Sequence, residues 1–238
     1  MPPAISVLIP CYNTASYIAV AVHSVLDQSF TDWELIIVDD GSSDGTGKVL
    51  DSLLQKYQKF PITVIQQKHA GCAAATKLAI HYATAPICTV LDSDDVLLLQ
   101  SLATIIRALD ARPDVGFFWT RWEGMKTRRR GWSKALPPGK SLKQALLSQW
   151  WGAQCQRAFR VSAYKKTCGL DPSLVSAVDL QLAALFAELG CPTLDVDVVT
   201  YLYRGPNQNR QVQLQCSHEI IRRLRDGKFR PPVKGATG

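Results

Sequence analysis

The 238-residue chain has no apolar run approaching the ~20 residues that a helix needs to cross a bilayer. Met1-Pro2-Pro3-Ala4 lacks the basic stretch of a secretory leader, and the apolar run that follows is too short for one. A cytoplasmic protein, or one on the cytosolic membrane face, is therefore expected. The seven cysteines include no Cys-x-x-Cys pair, which removes zinc ribbons and disulfide scaffolds, and most read as small buried hydrophobes. No His/Cys group has zinc spacing and no nucleophile elbow occurs. The first apolar run is followed by Pro10-Cys11-Tyr12-Asn13 rather than Gly-x-Gly-x-x-Gly, against a dinucleotide-binding oxidoreductase. Zinc fingers, RNA-binding aromatic motifs and heptads are also missing, so the excess of Lys and Arg does not point to nucleic acid. Neither an internal repeat nor a linker divides the chain.

What remains is an ordinary globular composition, 47% hydrophobic and 20% charged, with a net charge of +7. The first hundred residues hold ten acidic and five basic residues, so the excess of Lys and Arg lies in the rest of the chain. The basic residues gather at Lys126 to Arg130 and from Arg210 onward, most simply as a solvated face. Apolar, β-branched runs at Ile5–Ile9, Glu34–Val38, Ile62–Ile65 and Pro86–Leu91 predict buried strands. Helical spacing fills the intervals at Tyr17–Gln28, about Lys48–Lys59, and Ala70–Ala83. Strand–helix alternation of this kind predicts an α/β fold, a mostly parallel twisted sheet with helices on both faces. The second half predicts a helix at Leu98–Leu109, a strand at Val115–Thr120 and a Gly, Pro and basic loop from Arg121 to Lys140. Beyond these come a helix at Ser141–Trp150, an extended stretch at Ala153–Arg160 and a turn within Lys165–Leu174. A helix at Val178–Leu189, strand structure over Thr193–Tyr203 and a basic helix at His218–Arg225 complete the reading. Trp119, Trp122, Trp150 and Trp151 read as core or rim aromatics, with Trp151 the best candidate to stack on a sugar.

Chemistry gathers at Thr89-Val90-Leu91-Asp92-Ser93-Asp94-Asp95, where an apolar strand ends in three carboxylates within four residues. Such charges need partners, solvent or a cation. Oxygen-only ligands suit Mg²⁺ or Mn²⁺, whereas a helix N-terminus would use Asp as a cap. Ligands of open parallel sheets bind beyond the carboxyl ends of the strands. Three polar segments share that rim: Cys11-Tyr12-Asn13, Asp39-Asp40-Gly41-Ser42-Ser43 and Asp92-Ser93-Asp94-Asp95.

Together the segments resemble family 2 glycosyltransferases of the GT-A fold. The likeness runs through Ser6–Asn13, Ser24–Phe30, Trp33–Thr46 and Leu91–Asp95, and more weakly through Cys168-Gly169-Leu170-Asp171 to about Tyr203. It implies a glycosyltransferase domain over 1–205, with a nucleotide-sugar half at 1–97, an acceptor half at 98–205, and a basic extension at 206–238. By resemblance Asp94 is the direct ligand of Mn²⁺ or Mg²⁺. Asp92 lies near the ribose and cation, and Asp95 either contributes or caps the next helix. Asp40 reads the nucleotide base, Tyr12 stacks on it, and Pro10, Asn13, Ser93 and Lys68 or His69 line the nucleotide-sugar site. Asp179 is the general base.

Three positions depart from the family pattern: Ala75-Thr76 for an Arg-Asn pair, Val178 for Glu, and Gly205-Pro206-Asn207 for a final His. The implied function is inverting transfer of one sugar from a nucleoside diphosphate sugar, of uridine, to a hydroxyl acceptor. That acceptor would be a carbohydrate, glycolipid or other hydroxyl compound. The basic loop and tail would meet an acidic acceptor or touch a membrane peripherally. The alternative is a weak or inactive binding protein of the same fold.

Overall fold

The structure, a computed structural model, describes residues 1–125, 130–131, 135–150, 152, 156–205 and 210–229. The chain opens with β1 (Ile5–Cys11), α1 (Ile18–Leu26), β2 (Trp33–Asp39), α2 (Thr46–Lys56), β3 (Ile62–Gln66), α3 (Cys72–Tyr82) and β4 (Ile87–Val90). Every residue of β1 is buried, as continuous apolar strands between two helical layers require. Strands β3, β2, β1 and β4 lie side by side and parallel. This half matches the sequence reading.

The second half comprises β5 (Val96–Leu97), α4 (Ser101–Asp110), β6 (Phe117–Gly124), β7 (Arg130–Gly131), α5 (Leu142–Leu147) and β8 (Arg157–Arg160). It ends with α6 (Val161–Tyr164), α7 (Val178–Leu189), β9 (Thr193–Tyr203) and α8 (Arg210–Arg225). Here the sheet is mixed rather than parallel. β8 runs antiparallel to β4 and β6, β9 is parallel to β6, and β5 and β7 add antiparallel edges. β6 continues into the stretch expected to be a loop, because Trp122 and Glu123 pair with β7 while Arg121 pairs with Val199. The rest of that basic stretch, 126–129 and 132–134, lies outside the described residues.

Alternating side chains divide the core into two layers. Val7, Ile9, Leu35, Ile37 and Phe118 face one layer with α1, α2 and α4. Leu8, Ile36, Val38, Phe117 and Trp119 face the other with α3, α5, α7 and α8. Trp119 and Trp150 are buried in that second layer, edge to face at 5.9 Å. Trp151 lies outside the described residues. Of the cysteines, Cys11, Cys88 and Cys216 are buried, Cys72 and Cys191 are half-buried, and Cys168 is exposed.

Within the basic C-terminal stretch, the described residues 210–229 fold against the core. Its helix is twice the expected length, and Cys216, Ile220, Leu224 and the following Phe229 join the core beneath α7. Arg223 is tied to Asp171 and to Glu219, so part of the charge that looked available for a partner is neutralised internally.

Candidate functional site

The rim at the carboxyl ends of β1, β2 and β4 is knitted from short polar contacts. Asn13 adopts φ +53°, a left-handed conformation that Asn tolerates. Its side-chain oxygen accepts the Ser43 N–H at 2.8 Å, and its own N–H donates to the Ser42 hydroxyl at 2.9 Å. Asp44 accepts the Ala15 N–H at 3.0 Å, and Thr46 accepts the Thr14 N–H at 2.9 Å. Asn13 therefore ties the first rim loop to the second.

Asp40 is 2% exposed. Its carboxylate receives Gln67 Nε2 at 2.6 Å and the backbone N–H groups of Ala70 and Gly71, each at 2.8 Å. His69 Nδ1 hydrogen-bonds the Asp40 backbone carbonyl at 3.2 Å and lies 2.9 Å from the carboxylate. A carboxylate has about four lone-pair sites, and three of them receive hydrogen bonds here. Burying it unsatisfied would be costly, so Asp40 and the β3–α3 loop hold each other. The loop can pass this close only because Gly71 has φ +93° and Gly41 has φ +74°. A Cβ on Gly71 would lie 3.2 Å from Val175, and one on Gly41 would lie 3.0 Å from the His69 nitrogen. Tyr12, 45% exposed, stacks on the His69 ring with centroids 4.1 Å apart. Pro10 is buried in β1, Ser93 is buried, and Lys68 is exposed.

The acidic turn after β4 is held mostly by residues the sequence reading did not name. Asp95 faces inward, 1% exposed. It accepts the Tyr201 hydroxyl at 2.7 Å and the Arg204 backbone N–H at 2.8 Å. Burial, with Asp92 and Asp94 nearby, pushes its carboxyl up to about 8. It does not cap the next helix, whose N-cap is Gln100. Arg204 also donates Nε–H to the Asp94 carbonyl at 2.7 Å, with its guanidinium 4.5 Å from the Tyr17 ring centre. Tyr201 and Arg204 sit at the end of β9, more than a hundred residues away in sequence. Only the pairing of β9 with β5 brings them here.

Asp92 and Asp94 stay half-buried at the rim. Asp92 is paired with Arg157 at 3.0 Å, and the Arg157 side chain is only 3% exposed. Arg157 enters from β8, directly opposite Val90 of β4. Burial works against its charge, but Asp92 and then Asp179 hold the guanidinium firmly protonated. Asp179 stands in the first turn of α7, after Ala177 at φ +58°, a strained position of the kind that collects at functional sites. Burial pushes the Asp179 carboxyl above the usual carboxylate range against the pull of Arg157, and Asp92 adds to the rise. Asp92, Arg157 and Asp179 thus form one electrostatic group where the two halves of the sheet meet.

The donor set on the acidic turn is all oxygen. Among the described residues, no three His, Cys, Asp or Glu side chains form a ready metal cage. Two half-buried carboxylates fit Mg²⁺ or Mn²⁺, ions that usually complete their shells with water and substrate phosphates. The candidate ligand Asn207 lies outside the described residues.

A parallel first half, a mixed-sheet second half and an Asp-x-Asp turn between them are the architecture of a GT-A-fold glycosyltransferase. The chain belongs to glycosyltransferase family 2: the model for "Glycosyl transferase family 2" matches residues 6–167. It is 44% identical over 96 residues to the putative teichuronic acid biosynthesis glycosyltransferase TuaG of Bacillus subtilis, covering 39% of this chain and 36% of that one. The chain spans 40% or less of the length of TuaG and of the glycosyltransferase GlyG of Streptococcus pneumoniae, so each has much that this chain does not represent. The fold is similar to S. aureus TarS 1-349 in complex with UDP-GlcNAc, with TM-score 0.69 and 20% identity over 95% of this chain and 66% of that one. It is equally similar to the mannosyltransferase PcManGT from Pyrobaculum calidifontis in complex with GDP-Man and Mn²⁺, with TM-score 0.69 and 20% identity over 98% and 68%. Among the described residues, no helix is long and apolar enough to cross a membrane.

Proposed function

We propose that this chain transfers a single sugar, with inversion, from a uridine diphosphate sugar to a hydroxyl of a carbohydrate or glycolipid acceptor. The observation that carries this reading is the group of Asp92, Arg157 and Asp179. It puts a carboxylate of raised proton affinity at the start of a helix, beside the carboxylate and guanidinium of the donor side. A base of raised pKa is better matched to a hydroxyl proton near neutral pH than an ordinary carboxylate.

In the proposed step the acceptor oxygen attacks the anomeric carbon while its proton passes to the Asp179 carboxylate. The new carbon–oxygen bond forms as the bond from that carbon to the diphosphate oxygen breaks on the opposite face. Asp94, with Asp92 beside it, would hold Mg²⁺ or Mn²⁺, which would supply Lewis-acid neutralisation of the leaving diphosphate. Tyr201 and Arg204 keep the turn that carries both carboxylates in place, and Asp95 serves that same latch. On the nucleotide side, Tyr12 supplies the stacking ring and Asp40 the base contact, with Pro10, Asn13, Ser93 and Lys68 around them.

A second reading, a binding protein of the same fold with weak or no catalysis, draws on Asp40, whose carboxylate is already largely satisfied by the β3–α3 loop. A scan of nucleotide sugars for thermal stabilisation, with Mn²⁺ and with chelator, separates the possibilities. Uridine sugars should stabilise wild type in a metal-dependent way and Asp94→Ala should lose that dependence. Stabilisation by no uridine sugar would remove the donor assignment. Stabilisation without transfer to any acceptor pool, unchanged by Asp179→Asn, would favour the binding protein.

A further inference from the structure

The nucleotide pocket contains a ring of its own. His69 stacks on Tyr12 at 4.1 Å with an interplanar angle of 24°, and its Nδ1 lies 2.9 Å from the Asp40 carboxylate. Its Nδ1 hydrogen-bonds the Asp40 backbone carbonyl at 3.2 Å. The ring therefore fills the two positions assigned above to a nucleobase, the face of the tyrosine and the space against the buried acid. A ring pair at this spacing leaves no room for a base between its members. A base that stacks on this face of Tyr12 and reaches Asp40 must therefore take the place His69 occupies.

We propose that His69 is a built-in competitor for the base, so that donor binding exchanges one ring stacked on Tyr12 for another. This rests on the assignment of Tyr12 and Asp40 to the base. The groups held against Asp40 differ in how readily they can leave. The N–H groups of Ala70 and Gly71 belong to backbone entering α3, and Gly71 is wedged against Val175. The His69 backbone is also confined, with its nitrogen closely opposed to Gly41. The His69 side chain is 55% exposed and turns about its own side-chain bonds without moving the loop. It is the group that can swing into solvent.

Exchange also explains how a buried carboxylate can be both covered and selective. When the imidazole leaves, it opens the one carboxylate lone pair that no hydrogen bond uses, and a ligand gains there only by bringing a donor. Uracil offers a ring N–H at N3. Cytosine offers a lone pair there, which the carboxylate repels. The His69 contact thus raises the threshold for every base and leaves net affinity to those that bring a donor.

The test is calorimetric titration of the full chain with UDP and Mg²⁺, comparing wild type, His69→Ala, His69→Phe and Tyr12→Ala. His69→Ala should bind UDP about two- to tenfold more tightly, the scale of one ring stack. His69→Phe keeps a ring on Tyr12 and should not show that gain. The chain has four histidines, so the His69 ring signals are readily assigned by NMR. They should lose their stacking shift as UDP saturates the pocket. Unchanged or weaker UDP binding in His69→Ala, with Tyr12→Ala weakened, would make His69 part of the binding platform and overturn the proposal. Unchanged binding in Tyr12→Ala would overturn the base-pocket assignment and the competitor with it.

Discussion

At the scale of single residues, Asp179 carries opposing demands. Burial raises its proton affinity, so the ionised base is a cost to the folded state. A carboxyl whose folded pKa lies above its unfolded value favours folding at acid pH, and that contribution is lost as pH rises through the folded pKa. Asp179→Asn should therefore melt higher than wild type at neutral pH, while transfer falls about 10²- to 10⁴-fold, the usual contribution of a general base. The wild-type rate should climb as pH rises through the raised pKa, and the Asn variant should lose that limb. A pH–rate series beside a melting series checks both. Tyr201 presents a simpler case. Its hydroxyl meets Asp95 at 2.7 Å and Asp92 at 3.4 Å, inside a buried acidic cluster. Tyr201→Phe should cost about 1–3 kcal/mol in denaturant unfolding, because a buried carboxylate loses its donor.

At the scale of elements, the site depends on how loops enter helices. α3 begins after Gly71, at φ +93° and ψ 162°, a conformation essentially confined to glycine. Its N–H reaches Asp40 only from that conformation. Gly71→Ala is expected to destabilise the fold by about 1–3 kcal/mol and to weaken UDP binding, as read by unfolding and by titration. The start of α7 is also strained: Ala177 takes a left-handed conformation with no side-chain cap, and two residues later comes Asp179. Both departures from ordinary backbone fall beside proposed chemistry rather than in the strands beneath.

At the scale of the whole molecule, the second core layer joins the parallel and mixed halves of the sheet. α7 packs between α3, α5, α6 and α8, so the helix that carries Asp179 is located by the C-terminal helix as well as by the sheet. Leu224 is fully buried there. Leu224→Ala should lower stability by about 2–5 kcal/mol, typical of a large-to-small change in a packed core. Because α7 rests on it, transfer should fall more than UDP binding does. That split is measurable as kcat against donor affinity.

Much of this was legible in the chain itself. Continuous β-branched runs ending in polar turns determined the four parallel strands, because no other element buries such runs on both faces. The same runs located Asp40 and Asp92 at strand ends. The ordered motifs around them also conveyed the family. α7 and β9 could be bounded from periodicity alone. Only the tertiary structure decided the partnerships. Arg157, Tyr201 and Arg204 look like unremarkable strand residues until β8 and β9 are threaded antiparallel to β4 and β5. His69 looks like a loop residue until its ring is seen on Tyr12. The physical reason is range: local pattern reports burial and period, whereas neutralising a buried carboxylate requires a charge or donor from wherever the chain happens to return.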